Sequence, residues 1–217
     1  MQKPDVFSYS FLFLLKTFCS NCNMKFKKEI RIIAWDDCAF KFTQKSVLLV
    51  GVVFRGGQFL DGLLSTKVTK DGLDATDKIY YSINKSRHYD QLSLVMLDGI
   101  TFAGFNTVDI KKLKGATKLP VIAIQRDMPY MKKFMLAMRR VKGYDKRQKM
   151  VKAAGKIYKY KEIYYQKNGL TCKECEELLK TTCTRSKIPE PIRVAHLIAS
   201  GLSRRTHEGI FESRGRA

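Results

Sequence analysis

The chain is 217 residues long and 45% apolar, with a formal net charge of +21 and a pI of about 9.8. That apolar share excludes wholesale disorder, and the length is enough for one good hydrophobic core. The positive surplus favours a polyanionic partner, DNA or RNA, held through phosphate contacts that weaken with salt and carry little sequence information.

Residues 1–24 read as an N-terminal extension outside the core. The apolar stretch from Val6 to Leu15 is too short to span a bilayer as a helix, no small-residue cleavage motif follows it, and Met24 offers an alternative start. Six cysteines at irregular spacing point to a reducing, cytoplasmic compartment. Cys19 and Cys22, and Cys172 with Cys175, form CxxC pairs without a second pair at zinc-ligand spacing, so they read as ordinary thiols.

The core is expected over 25–207, followed by a polar tail, 208–217. Glu29 to Trp35 is mostly apolar and predicts a central strand; Val47 to Phe54 predicts a second. Arg55-Gly-Gly-Gln58 is a turn signal, and Phe59 to Lys67 returns as a third strand with Asp61-Gly62 as a bulge or turn. Leu73 to Ser86 has helical spacing. Leu92 to Leu97 is a fourth strand, Asn106 to Leu113 a helix, and Pro120 to Ile124 a fifth, short strand. Pro129 suits a first helical position and opens a basic helix running to Lys152, whose Met131, Phe134, Met135 and Met138 read as core packing. Lys156 to Lys167 alternates lysine with tyrosine and isoleucine, as a strand pair or ribbon does. Thr171 is a plausible N-cap for a short helix, and Pro189 to Arg205 forms the last.

Two of the apolar runs end in carboxylates: Ile30 to Trp35 in Asp36-Asp37, and Leu92 to Leu97 in Asp98-Gly99. Acids gathered at the rim of a sheet need a counter-charge, and a hard divalent cation with oxygen ligands supplies one. Such an ion suits phosphodiester hydrolysis, because it neutralises the non-bridging oxygens, activates water and helps the leaving alkoxide. A third acid is sought in Asp71-Gly-Leu-Asp-Ala-Thr-Asp77. Asp74 is the choice, because it sits where the third strand hands over to the first helix, whereas Asp71 and Asp77 suit turn and capping roles. Asp109 and Asp127 are also read as structural. His196, flanked by Val194, Ala195, Leu197 and Ile198, reads as a packing residue on burial preference alone.

The order of elements is that of the ribonuclease H-like fold: an α/β architecture with a mixed five-stranded sheet, three antiparallel strands then two parallel, flanked by helices. In that fold strands one and four are parallel neighbours, which by analogy brings Asp36 or Asp37 beside Asp98. Trp35-Asp-Asp-Cys-Ala-Phe40, Gly72-Leu-Asp-Ala-Thr76, Leu97-Asp-Gly-Ile-Thr-Phe-Ala-Gly-Phe-Asn106 and Pro189-Glu-Pro-Ile-Arg-Val-Ala-His196 together resemble the archaeal domain-of-unknown-function family 99, also called endonuclease dU, a relative of endonuclease V. The resemblance covers roughly Lys25 to the C-terminus. It implies Mg²⁺- or Mn²⁺-dependent cleavage of DNA at or near a deaminated base, deoxyuridine first and deoxyinosine second. It implies Asp36 or Asp37, with Asp98, as metal ligands, and Asp74 in place of the glutamate of endonuclease V. His196 is then moved from packing to the catalytic centre, to hold a water or a phosphate oxygen. The competing reading keeps the fold and the basic surface but not the catalysis: a DNA- or RNA-binding protein.

Overall fold

The computed structural model describes residues 29–207; the expectations for the extension 1–24 and the tail 208–217 lie outside them. Strand β1 (Arg31–Asp37) pairs antiparallel with β2 (Ser46–Arg55), which pairs antiparallel with β3 (Phe59–Thr69). Helix α1 (Ala75–Asn84) returns the chain to β4 (Leu94–Asp98), which lies parallel to β1. A two-stranded hairpin, β5 (Thr101–Phe102) and β6 (Asn106–Thr107), stands apart from the main sheet. Helix α2 (Ile110–Thr117) then leads to β7 (Val121–Gln125), parallel to β4. Beyond these come α3 (Met131–Met138), α4 (Tyr144–Ala153), the hairpin β8 (Tyr158–Tyr160) and β9 (Ile163–Asn168), α5 (Cys172–Thr182) and α6 (Glu190–His207).

The sheet order is β3-β2-β1-β4-β7-β9-β8. Its first five strands are the expected ribonuclease H-like set. The lysine–tyrosine ribbon extends them to seven, because β9 adds antiparallel to β7. Ile32, Ile33, Ala34 and Trp35 of β1 are all fully buried, since helices cover both faces of the sheet. One face (Ile33, Trp35, Val95, Leu97) packs under α1 and α2, with Met131, Phe134 and Met135 of α3 against it and Met138 buried within it. The other (Ile32, Ala34, Leu94, Met96) packs against Leu178 and Leu179 of α5 and Ile192, Ala195 and Ala199 of α6. Each such aliphatic side chain contributes roughly 1.5–3 kcal/mol by leaving water. Gly51 faces Trp35 across β1 and β2, where a Cβ would come within 2.9 Å of the indole, so the ring lies flat only over a glycine.

Two details differ from the sequence reading, and a third, the bulge expected at Asp61-Gly62, agrees with it. The helix expected from Pro129 to Lys152 is two helices, broken where Gly143 takes the left-handed conformation (φ +81°). The helix expected at Asn106 begins at Ile110. Asn106 and Thr107 instead form β6, and Asp109 caps α2 by accepting the N–H groups of Lys111 and Lys112. Asp61-Gly62 marks an irregularity in the pairing of β2 with β3, between Val53 and Phe54. Among the described residues no helix is long and apolar enough to cross a membrane.

Candidate metal centre

The period-two alternation of a strand decides which acids meet. Along β1, Ile32, Ala34 and Asp36 point to the α6 face; along β4, Leu94, Met96 and Asp98 do the same. The parallel register pairs Ile32 with Leu94, Ala34 with Met96 and Trp35 with Leu97, so one further step sets Asp36 beside Asp98. After Asp98 the chain must leave the strand at once. Gly99 turns it at φ +82°, and its N–H donates to the carbonyl of Ile124 (2.7 Å).

The third member comes from α6. Ile192, Ala195, His196 and Ala199 follow i, i+3, i+4, i+7 spacing, which puts the imidazole on the stripe that docks on the sheet. Nδ1 of His196 lies 2.8 Å from Oδ2 of Asp36; with that carboxylate ionised the ring N–H donates. The other oxygen of Asp36 accepts the N–H of Asp37 (2.8 Å). Donor atoms of Asp36, Asp98 and His196 all lie within 4.8 Å of one another. Asp36 is buried, Asp98 half-buried, and the side chain of His196 is 47% exposed, which leaves a solvent approach on the histidine side.

Burial, with the charge of Asp98 alongside, pushes the Asp36 carboxyl up to about 6, against the pull of His196. Burial also raises Asp98, against the opposing charge of Arg126, and raises Asp37. Carboxylates held above their ordinary range at one rim are an unmet demand for positive charge. Two carboxylates and an imidazole match that demand with a donor set for a divalent ion.

Asp37 and Asp74 stand outside this group. Asp37 faces the other side of the sheet, where its Oδ2 accepts the N–H of Ala103 (2.6 Å) and anchors the β5–β6 hairpin. Asp74 also faces that hairpin. Its Oδ1 accepts from Asn106 Nδ2 (2.6 Å) and the Thr69 N–H (3.2 Å), and its Oδ2 accepts from the Thr69 hydroxyl (3.0 Å). Its place at the strand-to-helix junction is as expected, but the turn directs both oxygens to neighbouring donors. Asp71 joins the same clasp through the Phe105 N–H (2.9 Å). The buried Arg147 closes it, donating to the carbonyls of Phe105, Lys142, Asp71 and Gly72.

Sequence reasoning missed Arg126. It follows β7, and its guanidinium lies 3.6 Å from Asp98. Nothing marks it out among 41 lysines and arginines; only the pairing of β7 with β4 brings it to the site. Arg126 and Asp98 share a cavity of about 330 Å³ with Gly99, Ile124, Pro129 and Phe134, at the small end of the range for ligand pockets.

Solved structures with the same architecture include endonuclease V from Ciona intestinalis, in complex with a 24mer DNA containing an inosine followed by a ribo-adenosine. Its TM-score is 0.53 at 15% identity, over 82% of this chain and 86% of that one. The catalytic domain of human endonuclease V gives 0.52 at 13%, over 82% and 84%. These likenesses show the fold. A crystal structure of a protein of unknown function from Archaeoglobus fulgidus has a TM-score of 0.75 at 39% identity, covering 80% of this chain and 98% of that one. A UPF0215 protein of Methanosarcina mazei is 46% identical over 197 residues, 88% of this chain and 96% of its own length. Residues 28–203 match the family described as endonuclease dU, and with relatives this similar over most of its length the chain belongs to that family.

Proposed function

We propose that the protein is a divalent-metal-dependent endonuclease that cuts DNA at or near deaminated bases, deoxyuridine first and deoxyinosine second, in DNA repair. The observation that carries this reading is the convergence of Asp36, Asp98 and His196 at one sheet edge, beside the Arg126 guanidinium and the cavity. Membership of the endonuclease dU family supports it. Asp36, Asp98 and His196 would hold Mg²⁺ or Mn²⁺, which when bound supplies Lewis-acid stabilisation of the phosphate and a more acidic water.

The remaining work falls to the chain. Arg126 is placed to reach a non-bridging phosphate oxygen with one face of its guanidinium while the other stays near Asp98. His196, hydrogen-bonded through Nδ1 to Asp36, keeps a fixed ring orientation as the proton on Nδ1 is held. The cavity takes one base of the strand, with Pro129 and Phe134 as apolar walls. Lysines and arginines of α3, α4 and the β8–β9 hairpin hold the backbone.

The test is an oligonucleotide panel carrying uracil, hypoxanthine, an abasic site or no lesion, incubated with Mg²⁺, Mn²⁺ or chelator, with the nick mapped. Asp98→Asn is expected to abolish nicking while DNA binding is kept or tightened, since one negative charge is removed from the phosphate's path. Normal cleavage by this variant would remove the catalytic assignment. The withdrawal of Asp74 from the acid cluster favours one rival, a nucleic-acid-binding protein without catalysis. That rival is upheld if salt-sensitive binding persists with no nick in any metal.

A further inference from the structure

Helix α6 carries a single acid, Glu190, in its first turn, and Arg193 follows it by three residues. Nε and Nη2 of Arg193 donate to Oε2 (2.7 Å) and Oε1 (2.5 Å) of Glu190, a two-pronged ion pair. The partners are unequal: the Glu190 side chain is 5% exposed and that of Arg193 32%. Hydrogen bonds from Arg193 hold the Glu190 carboxyl below its ordinary range, so the pair is ionised at neutral pH. An exposed ion pair adds little stability, and burying one of its partners costs desolvation. What the arrangement secures is orientation. The guanidinium is fixed by its inner edge, and the N–H groups of Nη1, with one of Nη2, remain for a second acceptor.

Where that outer edge lies follows from the helix. Successive residues turn by about 100°. Ile192, Ala195 and Ala199 define the stripe buried against the sheet, and Val194 and Ile198 pack on the same core from one flank. His196 lies on the other flank, where it meets Asp36 and Asp98. Arg193 stands three residues before His196, about 60° farther round on that flank and about 4.5 Å back along the axis. The solvent approach to the metal cluster is on the histidine side, and along α6 the charged residue nearest to His196 is Arg193. The exposed cations of α3, Lys132 and Lys133, belong to the opposite face of the sheet, so positive charge flanks the cluster on both faces.

We propose that Arg193, held by Glu190, grips a nucleic-acid phosphate adjacent to the one at the Asp36, Asp98 and His196 cluster. The strand then crosses the sheet edge with α3 on one side of the cluster and α6 on the other. A backbone held on both sides of the attacked phosphate keeps that phosphate aligned with the cluster. The flat fork of a guanidinium matches phosphate oxygens, and a contact of this kind positions the strand without reading its sequence. Only the identity of the anion rests on the proposed function.

The test pairs a change in the protein with a change in the DNA. The full-length protein binds a deoxyuridine duplex in chelator, so that no strand is cut, and fluorescence anisotropy reads the affinity. In a set of such duplexes one phosphate at a time, on either side of the lesion, is replaced by an uncharged methylphosphonate. The double variant Glu190→Gln, Arg193→Gln removes both charges together, leaves no buried carboxylate unpaired and keeps the net charge of the chain. The unaltered protein is expected to lose about tenfold in affinity when the phosphate gripped by Arg193 is replaced. The double variant is expected to bind the all-phosphate duplex about tenfold more weakly, with a salt slope lower by about 1. It should lose nothing further at that one phosphate and lose as the unaltered protein does at the others. Arg193→Lys should keep the slope but only part of the affinity, because an ammonium cannot hold both oxygens of Glu190 in one plane.

An unchanged slope, undiminished affinity of the double variant for the all-phosphate duplex, or losses that multiply at every phosphate would overturn the proposal. Should the double variant fail to fold, Arg193→Lys carries the test alone: a loss of affinity that vanishes at one methylphosphonate supports the grip, and an even loss at all of them overturns it. Nicking without this coupling removes the grip and leaves the nuclease. Coupling without a nick in any metal keeps the grip and removes the nuclease.

Discussion

Asp36 and Asp37 are chemically identical neighbours that the pleat sends to opposite faces of the sheet, and their different surroundings predict different losses. Asp36 is raised to about 6 from 3.8 by burial and by Asp98. In the metal-free protein its native form therefore binds a proton more tightly than the unfolded chain does. The contribution of this group to stability is fullest below pH 4 and is lost as the pH rises through 6, a loss of roughly 2–3 kcal/mol. A bound divalent ion reverses the preference, because it favours the ionised carboxylates. Thermal unfolding with chelator should thus show a midpoint falling between pH 4 and 7. Added Mn²⁺ should raise that midpoint at pH 8 and barely at pH 5; a metal response independent of pH would remove Asp36 from the ligand set. Asp36→Asn should lessen the pH dependence of the metal-free protein, leaving the share due to Asp98 and Asp37, and abolish the metal response. Asp37→Asn should keep the metal response, since its partner is the Ala103 N–H, which the amide oxygen can still accept. The ordering of the two variants in a metal-dependent melting assay decides between the two aspartates.

At the scale of elements, the clasp between the β3–α1 turn and the β5–β6 hairpin engages the carboxylates of Asp71 and Asp74 with neighbouring donors. Asp74 satisfies donors of Thr69 and Asn106, while Asn106 Oδ1 accepts the Ala75 N–H (3.0 Å), so the start of α1 depends on the hairpin. Asp74→Ala should lower stability by about 1–3 kcal/mol, measured in urea, and leave Mn²⁺ affinity in the folded protein unchanged. Loss of metal binding by a folded variant would return Asp74 to the centre. The strands that carry Asp36 and Asp98 were readable because continuous apolar runs mark strands buried on both faces. That Asp36 rather than Asp37 shares a face with Asp98 was also within reach, since Ile32, Ala34 and Asp36 repeat the spacing of Leu94, Met96 and Asp98. The β5–β6 hairpin was not, because strands of two residues carry no periodicity. Nor was the docking of the lysine–tyrosine ribbon on β7, which depends on pairing between distant segments. His196 lay on the apolar stripe of a recognisable helix, but its meeting with Asp36, 160 residues away, is a tertiary fact that only the family resemblance anticipated.

For the whole molecule, the sheet divides labour between its faces. α6 brings His196 to one face; α3 and α4 pack on the other, and α3 carries Lys132, Lys133, Arg139 and Arg140, all exposed. A net charge of +21 spread evenly would attract DNA in every orientation, and only a localised share can aim a phosphate at the Asp98 edge. Each phosphate neutralised releases condensed counterions, so the logarithm of affinity falls with the logarithm of salt by about 0.9 per contact. If the α3 face carries the backbone, Lys132→Ala with Lys133→Ala should reduce that slope by about 2, and should weaken binding equally for lesion-bearing and undamaged duplexes. Fluorescence anisotropy from 50 to 200 mM salt, a range of roughly the breadth over which such slopes are resolved, measures both quantities. A slope unchanged in the double variant would move the DNA path to the β8–β9 hairpin, where Lys159 lies 5.4 Å from the Tyr164 ring and Tyr164 pairs with Gln125 at the end of β7. Because that hairpin reaches the same sheet edge from the far side, the paired variants Lys159→Ala and Lys161→Ala would then carry the missing slope.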